Sequence, residues 1–301
     1  MHYFQLSYTK MDAAARCPCF YYYDRVLNIT TQAEQLGMKF GGAGHAGIRT
    51  LYETKSLEAC LKAGEEAWAP FEGRDVNKAG KPGVRTLSKL REILTAYYEQ
   101  FFLKEDWEDQ GGEQMQELLI KVPSQYWHLF AKAGTNPFYI RYLAKIDRLG
   151  LSGGVPAIQE FKFLKPFLGA DFTPEPNNQI VGYLRASNRR KAVVTVAKVQ
   201  PSSIKGMVQP RAKKDEPYSI FTRDPVYYSD FVFEEFEKDV IGWVVSILTW
   251  QMSNYWPKSA PGACNDYGGC PFKTLCSVEP KQREVMIELG FKQKEPYADG
   301  K

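Results

Sequence analysis

Apolar positions along the chain fall into two periodicities. Over residues 86–102 they recur at Leu87, Leu90, Ile93, Leu94, Tyr97, Tyr98 and Phe101, the i, i+3, i+4, i+7 stripe of an amphipathic helix that packs through one face. Elsewhere they gather in short runs of β-formers bounded by polar or turn residues. The runs 115–122, 138–147, 155–163 and 192–199, with a shorter one at 218–223, predict strands. Between the second and third lies Leu149-Gly150-Leu151-Ser152-Gly153-Gly154, which predicts a turn joining them as a hairpin.

Helices are expected at four further places. One follows Ser7-Tyr8-Thr9 through Arg16, where Ser7 is placed to cap. A second opens in the glycine run 40–48 and continues to about Ala67. A third covers 177–185 behind an Asn177 cap, and a fourth 229–255 behind Ser229 or Asp230. The last contains the longest apolar run, 240–252, too short for the ~20 residues that span a bilayer and so read as a buried helix face. Cys60 falls mid-helix, where a buried, inert thiol is expected. Loops are expected over 72–85, over the proline-rich 165–176 and over the basic stretch 207–216.

Composition adds bounds. The chain has 301 residues, 44% hydrophobic and 25% charged, a soluble globular profile with room for a substantial core. A net charge of +4 does not by itself indicate nucleic acid. The N-terminus lacks a charged-then-apolar signal pattern, so a cytoplasmic location, including that of a phage-encoded protein in host cytoplasm, is expected, without a membrane partner. Six cysteines in a reducing compartment point to metal or redox chemistry rather than disulfides.

The candidate chemistry sits around the predicted hairpin. On a strand, residues i and i+2 share a face, so Glu160 and Lys162 point one way while Phe161 and Phe163 point the other. A hairpin brings Asp147 towards that polar face. Two carboxylates and a lysine beside packed aromatics are costly unless their charges are matched. A divalent cation held by the carboxylates removes the cost and gives the lysine a role.

Asp147 followed by Glu160-Phe161-Lys162 resembles the PD-(D/E)XK nuclease superfamily in its RecB-like branch, with Ile146 in place of the usual proline before the aspartate. The same group places a histidine in a G-x-x-x-H opening, matched by Gly41 and His45. It adds a Q-x-x-x-Y motif after E-x-K, matched by Gln179 and Tyr183, one helical turn apart. Glu117 is the candidate for its carboxylate on the strand before the aspartate, against the plainer reading of an exposed strand-edge acid. Arg185, Arg189, Arg190 and Lys191, following the Q-x-x-x-Y helix, suit a phosphate backbone, or else form a solvated basic face.

The cysteines extend the resemblance. Cys17-Pro18-Cys19 with an aromatic run follows the first helix, and Cys264, Cys270 and Cys276 lie within thirteen residues near the other end. One upstream and three downstream cysteines resemble the iron–sulfur clasp of RecB-like nucleases. The five residues between Cys264 and Cys270, where two would be expected, keep structural Zn2+ open as an alternative to a 4Fe-4S cluster. Cys19 remains open as the fourth ligand in place of Cys17, and small buried hydrophobes are the plain reading of both.

The resemblance covers about residues 7–276. It implies an α/β fold: a restriction-endonuclease-like core with a central mixed β-sheet flanked by helices, and a helical iron–sulfur clasp joining the N- and C-terminal segments. As domains it implies a single nuclease domain over 1–301, with the clasp from 1–40 and 256–278, a helical insertion or cap over 41–115 and a catalytic core over 116–255. It further implies a DNA exonuclease acting on single strands or ends in recombination, repair or replication, with a recombination or replication protein as partner. Asp147, Glu160, the Phe161 carbonyl and His45 would hold Mg2+ or Mn2+; Lys162, Gln179 and Tyr183 complete the catalytic set. The sequence contains no G-x-x-x-x-G-K-[ST] loop, so the likeness is to stand-alone nucleases of phages and CRISPR adaptation. The alternative is a catalytically inactive DNA-binding or scaffold protein that keeps the fold and the cysteines.

Overall fold

Helix and strand boundaries follow local chemistry closely. The computed structural model describes residues 2–31, 35–76, 80, 83–164, 177–199, 220–259, 261–265 and 269–294. In chain order these form β1 (His2–Ser7), α1 (Tyr8–Arg16), α2 (Pro18–Tyr21), β2 (Ile29–Thr31), α3 (Leu36–Thr54), α4 (Leu57–Trp68), α5 (Leu87–Tyr97), β3 (Trp107–Gly111), β4 (Gln114–Lys121), α6 (Trp127–Lys132) and β5 (Thr135–Ile146). There follow β6 (Arg148–Ser152), β7 (Val155–Leu164), α7 (Asn178–Ala186), β8 (Lys191–Lys198), β9 (Phe221–Tyr227), α8 (Asp230–Ser253), α9 (Lys273–Cys276), α10 (Pro280–Gly290) and β10 (Phe291–Gln293). The expected loops 165–176 and 207–216 and part of 72–85 lie outside the described residues.

The chain divides into two units. One comprises Gln35–Gln116 and Lys145–Ser229 and contains a five-stranded mixed sheet of order β3-β6-β7-β8-β9. Its β7–β8 pair is parallel and the other three are antiparallel. A parallel pair needs a crossover, and α7 lies within it. Strand β8 is buried over most of its length, which is why its sequence reads as a nearly continuous apolar string, while β7 is buried at its centre and carries Gln159, Glu160 and Lys162 among its apolar residues. Helices α3, α4 and α5 share a core with this sheet through Phe40, Leu51, Trp68, Leu90, Leu94 and Phe161.

The other unit comprises Met1–Glu34, Glu117–Ala144 and Asp230–Lys301. Three strands in the order β1-β5-β4 bury one face, where Tyr142 meets Phe236 of α8 edge-on at 5.2 Å. Along α8, Phe233, Phe236, Val240, Val244, Ile247 and Leu248 are buried, the single apolar face expected. Among the described residues no helix is long and apolar enough to cross a membrane. The antiparallel pairing of β2 with β10 binds the N- and C-terminal segments.

Three expectations need correction. The segment 149–152 is not a turn: with Arg148 it forms β6, and the reversal is confined to Gly153 and Gly154, whose φ of +61° and +72° meet the demand of a two-residue type I′ turn. The hairpin is therefore β6–β7, and Asp147 lies in the bend between β5 and β6. Secondly, the helix expected from the glycine run to Ala67 is two helices. It starts earlier, at Leu36, and breaks where Lys55 takes a left-handed φ of +57° and the Ser56 hydroxyl accepts the Ala59 N–H. Thirdly, Ser7 occupies the N-cap position of α1 but makes no side-chain cap bond; its Oγ lies 3.1 Å from Thr9 Oγ1. The Asn177 and Thr86 caps do form.

Lys55 offers a direct check. A non-glycine residue in the left-handed region closes α3, so Lys55→Gly is expected to raise stability by about 0.5–1 kcal/mol, read as a higher denaturant midpoint with unchanged slope. A lower midpoint would mean that the αL conformation is not present in solution.

Candidate active site

The end of the β6–β7 ladder builds the site. The last paired residues are Arg148 and Gln159, so the Phe161 amide lies past the end of the pairing. Asp147, one residue before β6 begins, accepts that N–H through Oδ2 at 2.8 Å. The side chain of Phe161 turns the other way, edge-on to Tyr97 at 5.4 Å, as strand alternation requires.

Glu160 and Lys162 share the opposite face, with Lys162 Nζ 2.6 Å from Glu160 Oε1. Helix α7 lays Gln179 across them. Its carbonyl oxygen accepts from Lys162 Nζ at 2.9 Å, while its amide donates to Glu160 Oε1 at 3.1 Å and to Tyr183 Oη at 2.8 Å. Gln179 and Tyr183 thus act together, as their four-residue spacing predicts. From α3, His45 Nδ1 lies 3.4 Å from Asp147 Oδ1. The glycines around His45 lie inside the helix, where a Cβ on Gly44 would stand 2.2 Å from the Phe163 ring. Gly44 thus provides close packing against β7, whereas a Cβ on Gly41 or Gly42 would have nothing within 4 Å.

The electrostatics are those of charges held out of water. Burial pushes Glu160 up to about 7, helped by the Asp147 charge and opposed by Lys162. Burial likewise raises Asp147 to about 6, opposed by the Phe161 N–H and Lys162, and lowers the affinity of His45 for a proton. Among the described residues, buried Glu160 Oε2 has no hydrogen-bond partner, although buried carboxylate oxygens are ordinarily satisfied. The two carboxylates, one with that unsatisfied oxygen, are hard oxygen donors of the kind Mg2+ or Mn2+ takes, and the imidazole adds a borderline nitrogen donor. Among the described residues no three His, Cys, Asp or Glu side chains already converge on one ion position; these are held by one another instead.

A family model for the PD-(D/E)XK nuclease superfamily matches residues 5–277. The chain belongs to that superfamily. Its mixed sheet flanked by helices is the restriction-endonuclease-like fold expected from the motifs. Several solved structures are distantly similar. One is SSO0001, at 13% identity, covering 83% of this chain and 88% of that one with a TM-score of 0.34. A Eubacterium rectale protein designated an exonuclease has 12% identity, 87% and 86% coverage and a TM-score of 0.44. LHK-Exo in complex with dAMP has 14% identity, 73% and 95% coverage and a TM-score of 0.28. No curated protein matches, and membership rests on the family model.

In this superfamily member the remaining candidates are placed as follows. Glu117 is exposed on β4 and paired with Arg141 of β5 at 2.5 Å. Arg189 donates to the Gly150 carbonyl and Gln110 Oε1, both at 2.7 Å, and Lys191 donates to the Ser152 carbonyl at 3.0 Å. These two cations are spent partly on the β6 backbone; Arg190 is exposed and Arg185 half-buried. Cys60 is fully buried and its thiol pushed up to about 12 by that burial.

Four cysteines, Cys17, Cys264, Cys270 and Cys276, line a cavity of about 320 Å³ together with Arg16 and Lys258. Cys19 is absent from its wall and lies 3.5 Å, sulfur to sulfur, from Cys276. That contact holds the Cys276 thiol down to about 6 while raising Cys19. A zinc ion needs four sulfurs about 2.3 Å from one point. The four thiols give this cavity a soft donor set of the kind thiophilic metals take, while among the described residues no three of them converge on one ion position.

Sequence reading missed two groups. Glu113, between β3 and β4, lies 2.7 Å from Lys145, and its charge acts on both His45 and Asp147. The available signal was Lys145, near the end of β5 and two residues before Asp147. Behind the sheet, Glu105 receives Tyr52, Arg223 and Gln159. Gln159, fully buried, anchors β7 there, one residue from Glu160, and nothing in the sequence signalled it.

Proposed function

We propose that this protein is a Mg2+- or Mn2+-dependent deoxyribonuclease of the RecB-like branch, an exonuclease acting on single strands or DNA ends in recombination, repair or replication. The observation that carries the reading is Glu160 Oε2: an unsatisfied carboxylate oxygen beside Asp147, in a place where burial without a cation is costly. His45, Asp147, Glu160 and the Phe161 carbonyl hold the cation. When bound, it polarises the scissile phosphate and acidifies the attacking water.

Lys162 orients that water or neutralises charge developing on the phosphate. Gln179 fixes the Lys162 amine against Glu160, and Tyr183 holds the Gln179 amide from below, so the three act as one unit. Arg185, Arg189, Arg190 and Lys191 face the nucleic-acid backbone, since a cation that donates to a carbonyl keeps its charge. Residues 1–40 and 256–278 form the clasp, with a 4Fe-4S cluster on Cys17, Cys264, Cys270 and Cys276. The cavity they share, and the cationic Arg16 and Lys258 beside it, support an anionic thiolate cluster. Cluster binding there closes a loop spanning most of the chain, which stabilises the fold rather than taking part in hydrolysis.

The test is digestion of end-labelled single-stranded and duplex DNA with Mn2+, comparing the native chain with Lys162→Ala. Cleavage is expected to fall by about 10²–10³-fold, with free ends required. Equal rates for the two proteins would show that hydrolysis, if present, is carried elsewhere.

A further inference from the structure

Cys19 differs from the other clasp cysteines in the direction of its sulfur. It sits in α2, its backbone N–H bonded to the Pro257 carbonyl at 3.2 Å, and only 7% of its surface is exposed. Its neighbours are apolar: Tyr23, Ile29, Phe272 and Leu275 form one buried cluster with it. The cavity wall is made by Cys17, Cys264, Cys270 and Cys276, which already complete a four-thiolate set. Cys19 stands behind that wall, and its Sγ touches one wall sulfur, Cys276 Sγ, at 3.5 Å.

Chemistry decides the direction of this contact once Cys276 is a ligand. A metal-bound thiolate carries no proton and can only accept, so Cys19 supplies the S–H. Resting on the reading of the clasp as an iron–sulfur site, we infer that Cys19 is a positioning residue whose S–H hydrogen bond to Cys276 raises the reduction potential of the cluster without ligating it. The bond withdraws charge from the sulfur and so favours the more negative, reduced state. Hydrogen bonds to ligand sulfurs are one of the levers that set such potentials, and in this apolar surrounding the bond is not weakened by competing water.

The experiment uses the full chain purified anaerobically, as the native protein, Cys19→Ala, Cys19→Ser and Cys17→Ala. Iron and sulfide are assayed, and the midpoint potential is measured by optical redox titration. Cys17→Ala should lose most of its iron. Cys19→Ala should keep its iron and show a more negative potential, and Cys19→Ser, which restores a donor, should recover most of the shift. If Cys19→Ala sheds iron as fully as Cys17→Ala, Cys19 is a ligand and the inference is wrong. Retained iron with an unmoved potential overturns the inference but leaves the cluster standing. A native protein that carries zinc and no iron overturns both.

Discussion

Glu160→Gln is expected to cut metal-dependent cleavage by about 10³-fold or more and, in the absence of metal, to make the protein more stable at pH 8. The second effect follows from the sign of the shift. The Glu160 carboxyl is raised from 4.5 to about 7 by burial and by Asp147, so the fold disfavours its ionised form. Below about pH 4.5 the group is protonated in folded and unfolded chains alike and costs nothing. Between about pH 4.5 and 7 the unfolded chain ionises while the folded carboxyl holds its proton, so native stability falls over that window, and the full penalty stands above it. Glutamine carries no charge at any pH and escapes the penalty, on the order of 1–3 kcal/mol after allowing for the compensating Lys162. Melting in EDTA should therefore give coincident curves near pH 4.5, and at pH 8 a variant several degrees higher. Adding Mn2+ at pH 8 should reverse the order, because only the native site gains binding energy. A melting difference that does not change with pH would mean that Glu160 is solvated and not a buried metal ligand.

The second large effect lies in the helix that carries His45. Gly44→Ala puts a Cβ at 2.2–2.5 Å from three atoms of the Phe163 ring, a distance that real contacts do not reach. The ring sits on β7, edge-on to His45 at 5.6 Å, so relief requires the Phe163 ring to turn away from its place beside His45 or α3 to draw back from β7. Overpacking of this kind costs about 1–3 kcal/mol, more than the ~1 kcal/mol that alanine gains over glycine in a helix. Gly41→Ala is the control: nothing lies within 4 Å of its added Cβ, and only the helix gain remains. Urea melts should thus move in opposite directions, Gly44→Ala to lower and Gly41→Ala to higher midpoint. Cleavage by Gly44→Ala should also drop at saturating metal, since the His45–Asp147 spacing is disturbed. Parallel gains in stability for both variants would show that α3 and β7 are not in close contact.

What the chain determined by itself was set by short-range periodicity. The stripe Leu87, Leu90, Ile93, Leu94 and Tyr97 could only be an amphipathic helix, and alternation fixed Glu160 and Lys162 on one face of β7 with Phe161 on the other. A four-residue spacing was enough to put Gln179 and Tyr183 side by side, and Asn177 was enough to start their helix. Family order then joined these pieces into one nuclease superfamily.

Tertiary structure alone decided which of those faces meet. Sequence could not show that 149–152 is itself a strand, because Gly150 reads as a turn until Trp107 packs where a Cβ would have stood. Nor could it separate a glycine run that opens a helix from one that lets the helix interior approach β7, since both have the same local composition. That Arg189 and Lys191 also donate to the Gly150 and Ser152 carbonyls of β6 could not be read from their basic run, and Glu113, Glu105 and Gln159 had no motif to announce them. That Cys17 lines the cavity and Cys19 does not depends on Cys17 being the extended residue before α2 while Cys19 lies inside that helix. Periodicity records which side of its own element a residue occupies; which partner waits on that side is set by contacts distant in sequence, and those exist only once the chain has folded.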